Sequence, residues 1–246
     1  MPILFDPMSY AVVSAGIFAG ALVSGLMGFA FSAVAGAVLL HVMAPTEAVP
    51  LMMACSIVTQ SVSLFALRRS IQWRASAGLI AGGAVGVLPA LWLLYHVDTQ
   101  VFRIGFGAFL VGYAAWMLLR PANGSLRVAA GRVRDVVVGF GGGLVGGLTA
   151  MPGAIPTIWC DLRGMAKDRQ RGLVQPYIAA MQVFALALLL SRHTLSTEAL
   201  LDVTLTLPAL AGGAVLGIVL FRRVSDRSFR GVVLGVLAVS GVLLVV

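Results

Sequence analysis

The sequence contains little charge for its length. Charged residues make up 11% of its 246 residues, whereas hydrophobic residues make up 60%. An average soluble domain is about 25% charged and roughly 45–50% apolar, so a water-soluble globular fold is excluded. The mean hydropathy of +1.01 indicates an integral membrane protein.

Lysine, cysteine and carboxylates are also scarce, and each scarcity excludes a class of protein. Lys167 is the only lysine and lies in a polar segment, which leaves no retinal lysine and no phosphate-binding G-x-x-x-x-G-K-[ST] loop. Cys55 and Cys160 lie within apolar runs and offer neither a disulfide framework nor zinc spacing. The apolar runs lack carboxylates, which argues against a metal transporter. We therefore expect no enzyme activity, no catalytic residue, no metal site and no cofactor.

Uncharged stretches divide the chain into membrane-crossing segments. A helix needs about 20 apolar residues to cross a hydrocarbon core of roughly 30 Å. Two uncharged stretches, 7–46 and 136–160, require separate treatment. The stretches that fit one crossing each are 48–67, 75–97, 104–119, 172–191, 203–221 and 231–246. The sequence therefore predicts an all-α polytopic membrane protein.

The two halves of the chain resemble copies of each other. Ser24-Gly25-Leu26-Met27 matches Gly146-Gly147-Leu148-Thr149, and Gln60 matches Gln182 at the same shift. Two further matches follow in the same order, and internal repeats are a common construction of secondary transporters. The predicted units are a first repeat over 1–119, a cytoplasmic linker over 120–134 and a second repeat over 135–246.

Each half opens with an element that fits neither one nor two full crossings. In the second half, Met151-Pro152-Gly153 follows a glycine-rich run, and proline removes a helical hydrogen bond and clashes with the preceding turn. A helix break is therefore expected near Ala150-Met151. In the first half, residues 10–43 are interrupted by glycines at 25–28. Two arms of about 14 residues would each reach roughly 21 Å, which predicts a re-entrant hairpin in each half.

The basic clusters provide a separate criterion for the topology. Arginines concentrate at 68–74, 120–134, 163–171 and 222–230, and cytoplasmic loops carry the excess of basic residues in membrane proteins. If both opening elements cross fully, the last two clusters face away from the first two. If both are re-entrant, all four face the cytoplasm. The second arrangement is preferred, and it predicts two inverted repeats, each a re-entrant broken hairpin plus three transmembrane helices.

Five short motifs, in order along nearly the whole chain, carry a family resemblance. The first half contains Gly28-Phe29-Ala30-Phe31, Pro45-Thr46-Glu47-Ala48-Val49-Pro50 and Arg68-Arg69-Ser70-Ile71-Gln72-Trp73-Arg74. The second half contains Gly146-Gly147-Leu148-Thr149-Ala150-Met151-Pro152-Gly153 and Leu162-Arg163-Gly164. Together they resemble the sulfite exporter TauE/SafE family of bacterial membrane transporters. The resemblance implies transport of a small anion, often sulfur-containing, across the bacterial cytoplasmic (inner) membrane.

The predicted hairpin tips are candidate anion sites. Lipid cannot satisfy free backbone groups, so a non-helical tip lies inside protein or beside a water-filled cavity. The first amides of each second arm are unpaired donors at the positive end of a helix dipole, and such ends bind anions. Inverted repeats would direct two such ends at one midplane site. The predicted substrate-binding residues at the tips are Gly28, Phe29, Ser32, Thr149, Met151, Gly153 and Thr157.

Polar side chains on two neighbouring helices extend this candidate site. Ser56 and Gln60 are four residues apart, and Gln175 and Gln182 are seven apart, so each pair shares a helix face. Glutamine amides can donate to an oxyanion without carrying charge, which favours weak and reversible binding. The alternative role is interhelical hydrogen bonding that holds the helices together, and both roles remain open.

These observations predict a secondary transporter that moves an organosulfur compound or sulfur oxyanion by alternating access. An anion channel of the same architecture is the alternative. The expected partners are the small anion and membrane lipid, and a homodimer is compatible with the sequence. Nucleic acid is not an expected partner, because the net charge of +8 is distributed in short clusters between apolar runs.

Overall fold

The computed structural model describes residues 7–27, 30–68, 71–119, 131–191, 197–221 and 226–245. Within these ranges every regular element is an α-helix, so the all-α prediction is confirmed there. The helices of the first half are α1 (Pro7–Met27), α2 (Phe31–Val42), α3 (Pro45–Leu67), α4 (Trp73–Leu94) and α5 (Thr99–Leu119). Those of the second half are α6 (Arg132–Thr149), α7 (Ala154–Leu162), α8 (Lys167–Ser191), α9 (Thr197–Phe221) and α10 (Asp226–Val245).

Several helices have the length and composition of membrane spans. Among the described residues, the long apolar segments are Met8–Gly25, Trp73–Leu94, Thr99–Leu119 and Arg169–Ser191. Each of the six stretches expected to cross the membrane lies largely on one helix, α3, α4, α5, α8, α9 or α10. The helix α6 begins at Arg132, so the last residues of the predicted 120–134 linker are helical.

Each half opens with an antiparallel helical hairpin, but its two arms are unequal. The arms are 21 and 12 residues long in α1 and α2, and 18 and 9 residues long in α6 and α7. The expectation of two arms of about 14 residues is therefore wrong. At 1.5 Å per residue, α1 reaches about 32 Å and α7 only about 14 Å. Both long arms pack closely against a helix of the opposite half, as described below.

The break in the second hairpin lies where the sequence predicts it. The helix α6 ends at Thr149, and Ala150 adopts a left-handed conformation with φ 54° and ψ 26°. The Ala150 amide still donates to the Gly146 carbonyl at 2.9 Å, which closes the helix as a left-handed C-terminal cap does. Pro152 follows, lacks an amide donor and prevents the helix from continuing.

Close helix contacts pair the first half with the second. The helices α4 and α6 run parallel, because Gly139 packs on the backbone of Leu79 and Gly143 on that of Gly83. Glycine lets two backbones approach closely, which is how membrane helices maximise packing without a hydrophobic driving force. The helices α5 and α10 run antiparallel, with Gly107 against Gly241.

The first hairpin forms the corresponding pair, in which its helix α1 packs against α9 of the second half. Gly213 packs on the backbone of Phe18, and Gly217 packs on that of Leu22, so these helices also run parallel. The first hairpin thus lies against a helix of the second half, and the second hairpin lies against a helix of the first half. Between the two hairpins, α3 contacts α8, and the candidate site lies at this junction.

The described arginines of three of the four basic clusters lie at one end of the helix bundle. The Gln72 amide, beside Arg68 and Arg74, donates to the Gly172 carbonyl at 3.0 Å, next to the 163–171 cluster. The start of α6, with Arg132, packs beside Gly78 near the start of α4. The fourth cluster, 222–230, lies partly outside the described residues.

Candidate functional site

A buried polar cluster surrounds the carbonyl oxygen of Ala150 at the second hairpin tip. The Ser32 hydroxyl, in the first turn of α2, donates to this oxygen at 2.7 Å. The Gln182 side-chain amide Nε2, from α8, donates to the same oxygen at 3.3 Å and to Ser56 Oγ on α3 at 2.7 Å. Two of the predicted residues, Ser32 and Gln182, therefore meet at one backbone carbonyl, and a third, Ser56, joins the cluster through Gln182.

The helix break explains why this carbonyl is available. The last carbonyls of any α-helix have no intrahelical partner, and the left-handed turn at Ala150 directs its oxygen away from the helical ladder. In a membrane interior such an oxygen needs a protein donor. Ser32 and Gln182 supply two, from helices of different halves, and both side chains are at most 2% exposed.

The contact with Ala150 also determines which way the Gln182 amide points. A carbonyl oxygen only accepts hydrogen bonds, so the Gln182 atom that faces it must be the NH₂ nitrogen rather than the oxygen. The Gln182 Oε1 atom is buried and accepts no hydrogen bond from any residue that the structure describes. The cluster therefore presents a hydrogen-bond acceptor, not a donor, from Gln182.

The second tip itself is buried backbone that leads into a short helix. Met151 is fully buried, and Gly153 lies immediately before the first turn of α7. The Thr157 amide donates to the Gly153 carbonyl at 3.0 Å, which starts the helical ladder of α7. The Thr157 carbonyl accepts from Gln170 Nε2 at 3.4 Å, so the tip is also connected to α8.

The remaining predicted residues occupy different surroundings. Thr149 donates its hydroxyl to the Val145 carbonyl at 2.7 Å within α6, and it borders an apolar crevice of about 300 Å³ beside α5. Gln60 and Gln175 are both buried, 2% and 4% exposed, on the α3 and α8 helices that carry Ser56 and Gln182. Gly28 and Phe29, predicted at the first tip, lie outside the described residues.

A second polar cluster joins the two arms of the second hairpin at the end away from its tip. Trp159 Nε1 on α7 donates to Asp135 Oδ1 on α6 at 3.0 Å. The Arg163 guanidinium lies 3.7 Å from the same carboxylate and 5.8 Å above the Trp159 ring. Together they hold the ends of both arms and so restrict where the tip can lie.

Sequence reasoning missed two of these features. The break at Ala150 was predicted. The sequence contains no signal, however, that the Ala150 carbonyl accepts hydrogen bonds from two side chains. The Asp135–Trp159 pair connects residues from two helices, and the only local signal for it is a carboxylate within the first turn of a predicted hairpin arm. Within the described residues, no group of three or more His, Cys, Asp or Glu side chains could hold a metal ion.

Comparison with known proteins identifies a family and a relative of this chain. The family model described as "Sulfite exporter TauE/SafE" matches residues 12–244. The chain is 30% identical over 181 residues to a protein of Comamonas testosteroni named "Probable inner membrane transporter protein TsaS", covering 70% of this chain and 72% of that protein. No solved structure matches the chain.

Proposed function

Because the chain belongs to the sulfite exporter TauE/SafE family of membrane transporters, we propose that it carries a small sulfur-containing anion by alternating access. The family match establishes a multi-pass membrane transporter rather than a member of an enzyme class. The relative from Comamonas testosteroni is named as an inner membrane transporter, and we assign this chain to the same bacterial membrane.

The hydrogen bond from Ser32 to Ala150 is the observation that best supports anion transport. Ser32 lies in the first turn of α2, and Ala150 lies four residues before the first residue of α7. Their contact at 2.7 Å brings the amino ends of two helices close together. At α7 the Ala154 amide donates to the Met151 carbonyl at 3.4 Å and Pro156 has no amide, so the attraction of this end for an anion comes mainly from the helix dipole. The partial positive charge of both ends favours a small anion between them without a buried cationic side chain.

The helix directions support the proposed inverted repeats. The helix α1 is antiparallel to α2 and α6 is antiparallel to α7, whereas α4 runs parallel to α6 and α1 runs parallel to α9. If consecutive helices alternate in direction, α1 and α6 run in opposite directions. The two halves are then inverted relative to each other. The described arginines of three basic clusters, all at one bundle end, fit a cytoplasmic face, as the positive-inside rule requires.

The distribution of close packing supports a carrier over a channel. The glycine contacts make α1–α9 and α4–α6 two closely packed pairs. The polar junction of α3 with α8, where Ser56 meets Gln182, lies between the hairpins that belong to these pairs. Rocking of one pair against the other across this junction would expose the tips alternately to each side, as in other transporters with inverted repeats.

Transport by purified protein in proteoliposomes tests this function. The probes are radiolabelled sulfite, thiosulfate, sulfoacetate, sulfate and acetate, each measured in net uptake and in counterflow against unlabelled anion. We expect uptake of at least one sulfur-containing anion, with faster entry of label when the same anion is inside. Uptake without stimulation by internal anion would identify a channel, and uptake of none of the sulfur compounds would contradict the proposed substrate class.

The matched variants Ser32→Ala and Ser61→Ala connect this activity to the proposed site. Ser32→Ala removes one buried hydrogen bond between the halves, worth about 1 kcal/mol, and we expect a fivefold to tenfold loss of transport, on the order that this energy permits. The Ser61 hydroxyl is exposed and bonds within α3 to the Ile57 carbonyl, so Ser61→Ala should transport normally. Equal activity in both variants would remove Ser32 from the site.

A further inference from the structure

We propose that Gln182 accepts a hydrogen bond from the transported anion, and that the site therefore takes an oxyanion in a form that carries an acidic proton. This inference rests on the proposed function, because it assumes that the cluster at Ala150 contacts substrate. It reverses the role expected from the sequence, in which the glutamine amide would donate to the anion.

The hydrogen bonds of Gln182 leave its oxygen as the group available to a ligand. A side-chain amide has two N–H donors, and Nε2 contacts two acceptors, Ser56 Oγ at 2.7 Å and the Ala150 carbonyl at 3.3 Å. The side chain is 2% exposed, and Oε1 accepts from none of the described residues. A buried acceptor without a donor is destabilising, so a ligand that donates to it recovers that energy.

A fully deprotonated anion cannot satisfy this oxygen. Its oxygens carry negative charge and would be repelled by the partial negative charge of Gln182 Oε1. A hydrogen oxyanion has both kinds of group, since its O–H can donate to Gln182 while its other oxygens accept from helix amides at the tips. Ser56 adds a donor beside this acceptor. Its oxygen accepts from Gln182, and its hydroxyl proton can still be donated to the anion.

This arrangement couples the proton to the anion without a buried carboxylate. The uncharged stretches of the sequence contain no Asp or Glu, so no carboxylate in them can relay a proton. If the substrate itself carries the proton to Gln182, one proton crosses with each monoanion. The direction of net transport then depends on the pH gradient as well as on the anion gradient.

The first experiment uses the wild-type protein and two probes of similar size. Proteoliposomes that contain a fluorescent pH indicator receive sulfite, which forms hydrogensulfite, or methanesulfonate, which stays deprotonated. Flux into protein-free liposomes is subtracted to remove passive entry of the neutral acid. We expect sulfite uptake to rise as external pH falls, in proportion to the hydrogensulfite fraction, with acidification of the lumen and about tenfold slower methanesulfonate uptake.

Three results would overturn the inference while leaving the proposed function intact. The first is sulfite uptake that does not depend on pH or follows the fully deprotonated form. The second is methanesulfonate uptake as fast as that of hydrogensulfite. The third is uptake that requires a sodium gradient without acidification of the lumen, which would assign the Gln182 oxygen to a metal cation. Uptake of none of the sulfur compounds in the wider panel would instead contradict the proposed function.

The second experiment compares Gln182→Met with Gln100→Met. Methionine fills a similar volume at 182 but removes the acceptor together with the amide donations to Ser56 and Ala150. The loss of those donations affects both probes, so the difference between the probes reports the acceptor. We expect hydrogensulfite uptake to fall at least tenfold and methanesulfonate uptake to fall less. Gln100 is exposed at the start of α5, and its variant should retain the pH profile. Equal loss for both probes in Gln182→Met would indicate a structural role and contradict the inference.

Discussion

At the residue scale, the second hairpin tip depends on one unusual backbone conformation. Ala150 has a positive φ of 54°, which the clash of Cβ with the following carbonyl makes unfavourable by roughly 1–2 kcal/mol for an L-residue. Its side chain is 1% exposed, and its carbonyl accepts from Ser32 and Gln182. These two hydrogen bonds stabilise a conformation that the residue alone disfavours.

Substitution of Ala150 by glycine should therefore stabilise the protein. Glycine adopts positive φ without strain, so Ala150→Gly should raise the melting temperature in detergent, by an amount corresponding to about 1 kcal/mol. The same change at the exposed helical residue Ala115 should lower it, because glycine disfavours a helix interior by about 1 kcal/mol. A fall in both variants would show that Ala150 does not need the left-handed conformation.

At the element scale, the long arms of the hairpins are stabilised by contacts with helices of the opposite half. The sequence of α6 contains many glycines, which taken locally disfavour a helix. Three of these glycines, Gly139, Gly143 and Gly147, instead pack against α4 along its length. Close backbone contact offsets the low helix propensity, and for this reason α6 is longer than the half-helix expected from its sequence.

The variants Gly143→Ala and Gly112→Ala test this contribution of packing. A methyl group on Gly143 would overlap the carbonyl oxygen of Gly83, whereas one on Gly112 would meet nothing within 4 Å. We expect Gly143→Ala to destabilise the fold by about 1–3 kcal/mol through overpacking, and Gly112→Ala to maintain or raise stability through better helix propensity. Thermal unfolding in detergent measures both, and an unchanged Gly143→Ala would contradict the close contact.

At the scale of the whole molecule, the proposed topology assigns each connection to one side of the membrane. Cysteines introduced at Ser125 and Arg223 should react with a membrane-impermeant reagent only from the cytoplasmic side, and a cysteine at Thr197 only from outside. Ser125 and Arg223 lie outside the described residues, so their assignment comes from the sequence. Cys55 and Cys160 are buried and should contribute little background labelling.

The labelling pattern separates the two topologies that the sequence left open. If Arg223 reacts from outside while Ser125 remains protected, the chain crosses the membrane an odd number of times between them, and the inverted repeats are wrong. Labelling should be performed on intact cells and on inside-out vesicles, with permeabilised cells as the control for reactivity at each position.

The sequence by itself determined the class of the protein and the position of its second break. Low charge and long apolar runs exclude a soluble fold. A segment of about 20 apolar residues favours the membrane interior whatever its neighbours in the fold are. Pro152 predicts the break beside Ala150 because proline lacks a backbone donor and clashes locally. Both are short-range effects, and a single sequence is sufficient to recognise them.

Only the tertiary structure decided which groups meet and what each one presents. The pairing of α4 with α6 joins the two halves, and no local pattern specifies such a partner. The Ala150 carbonyl became the centre of the site through contacts with Ser32 and Gln182, residues distant in the chain. The orientation of the Gln182 amide followed from that carbonyl, because an amide can donate or accept and its neighbours decide which atom remains available.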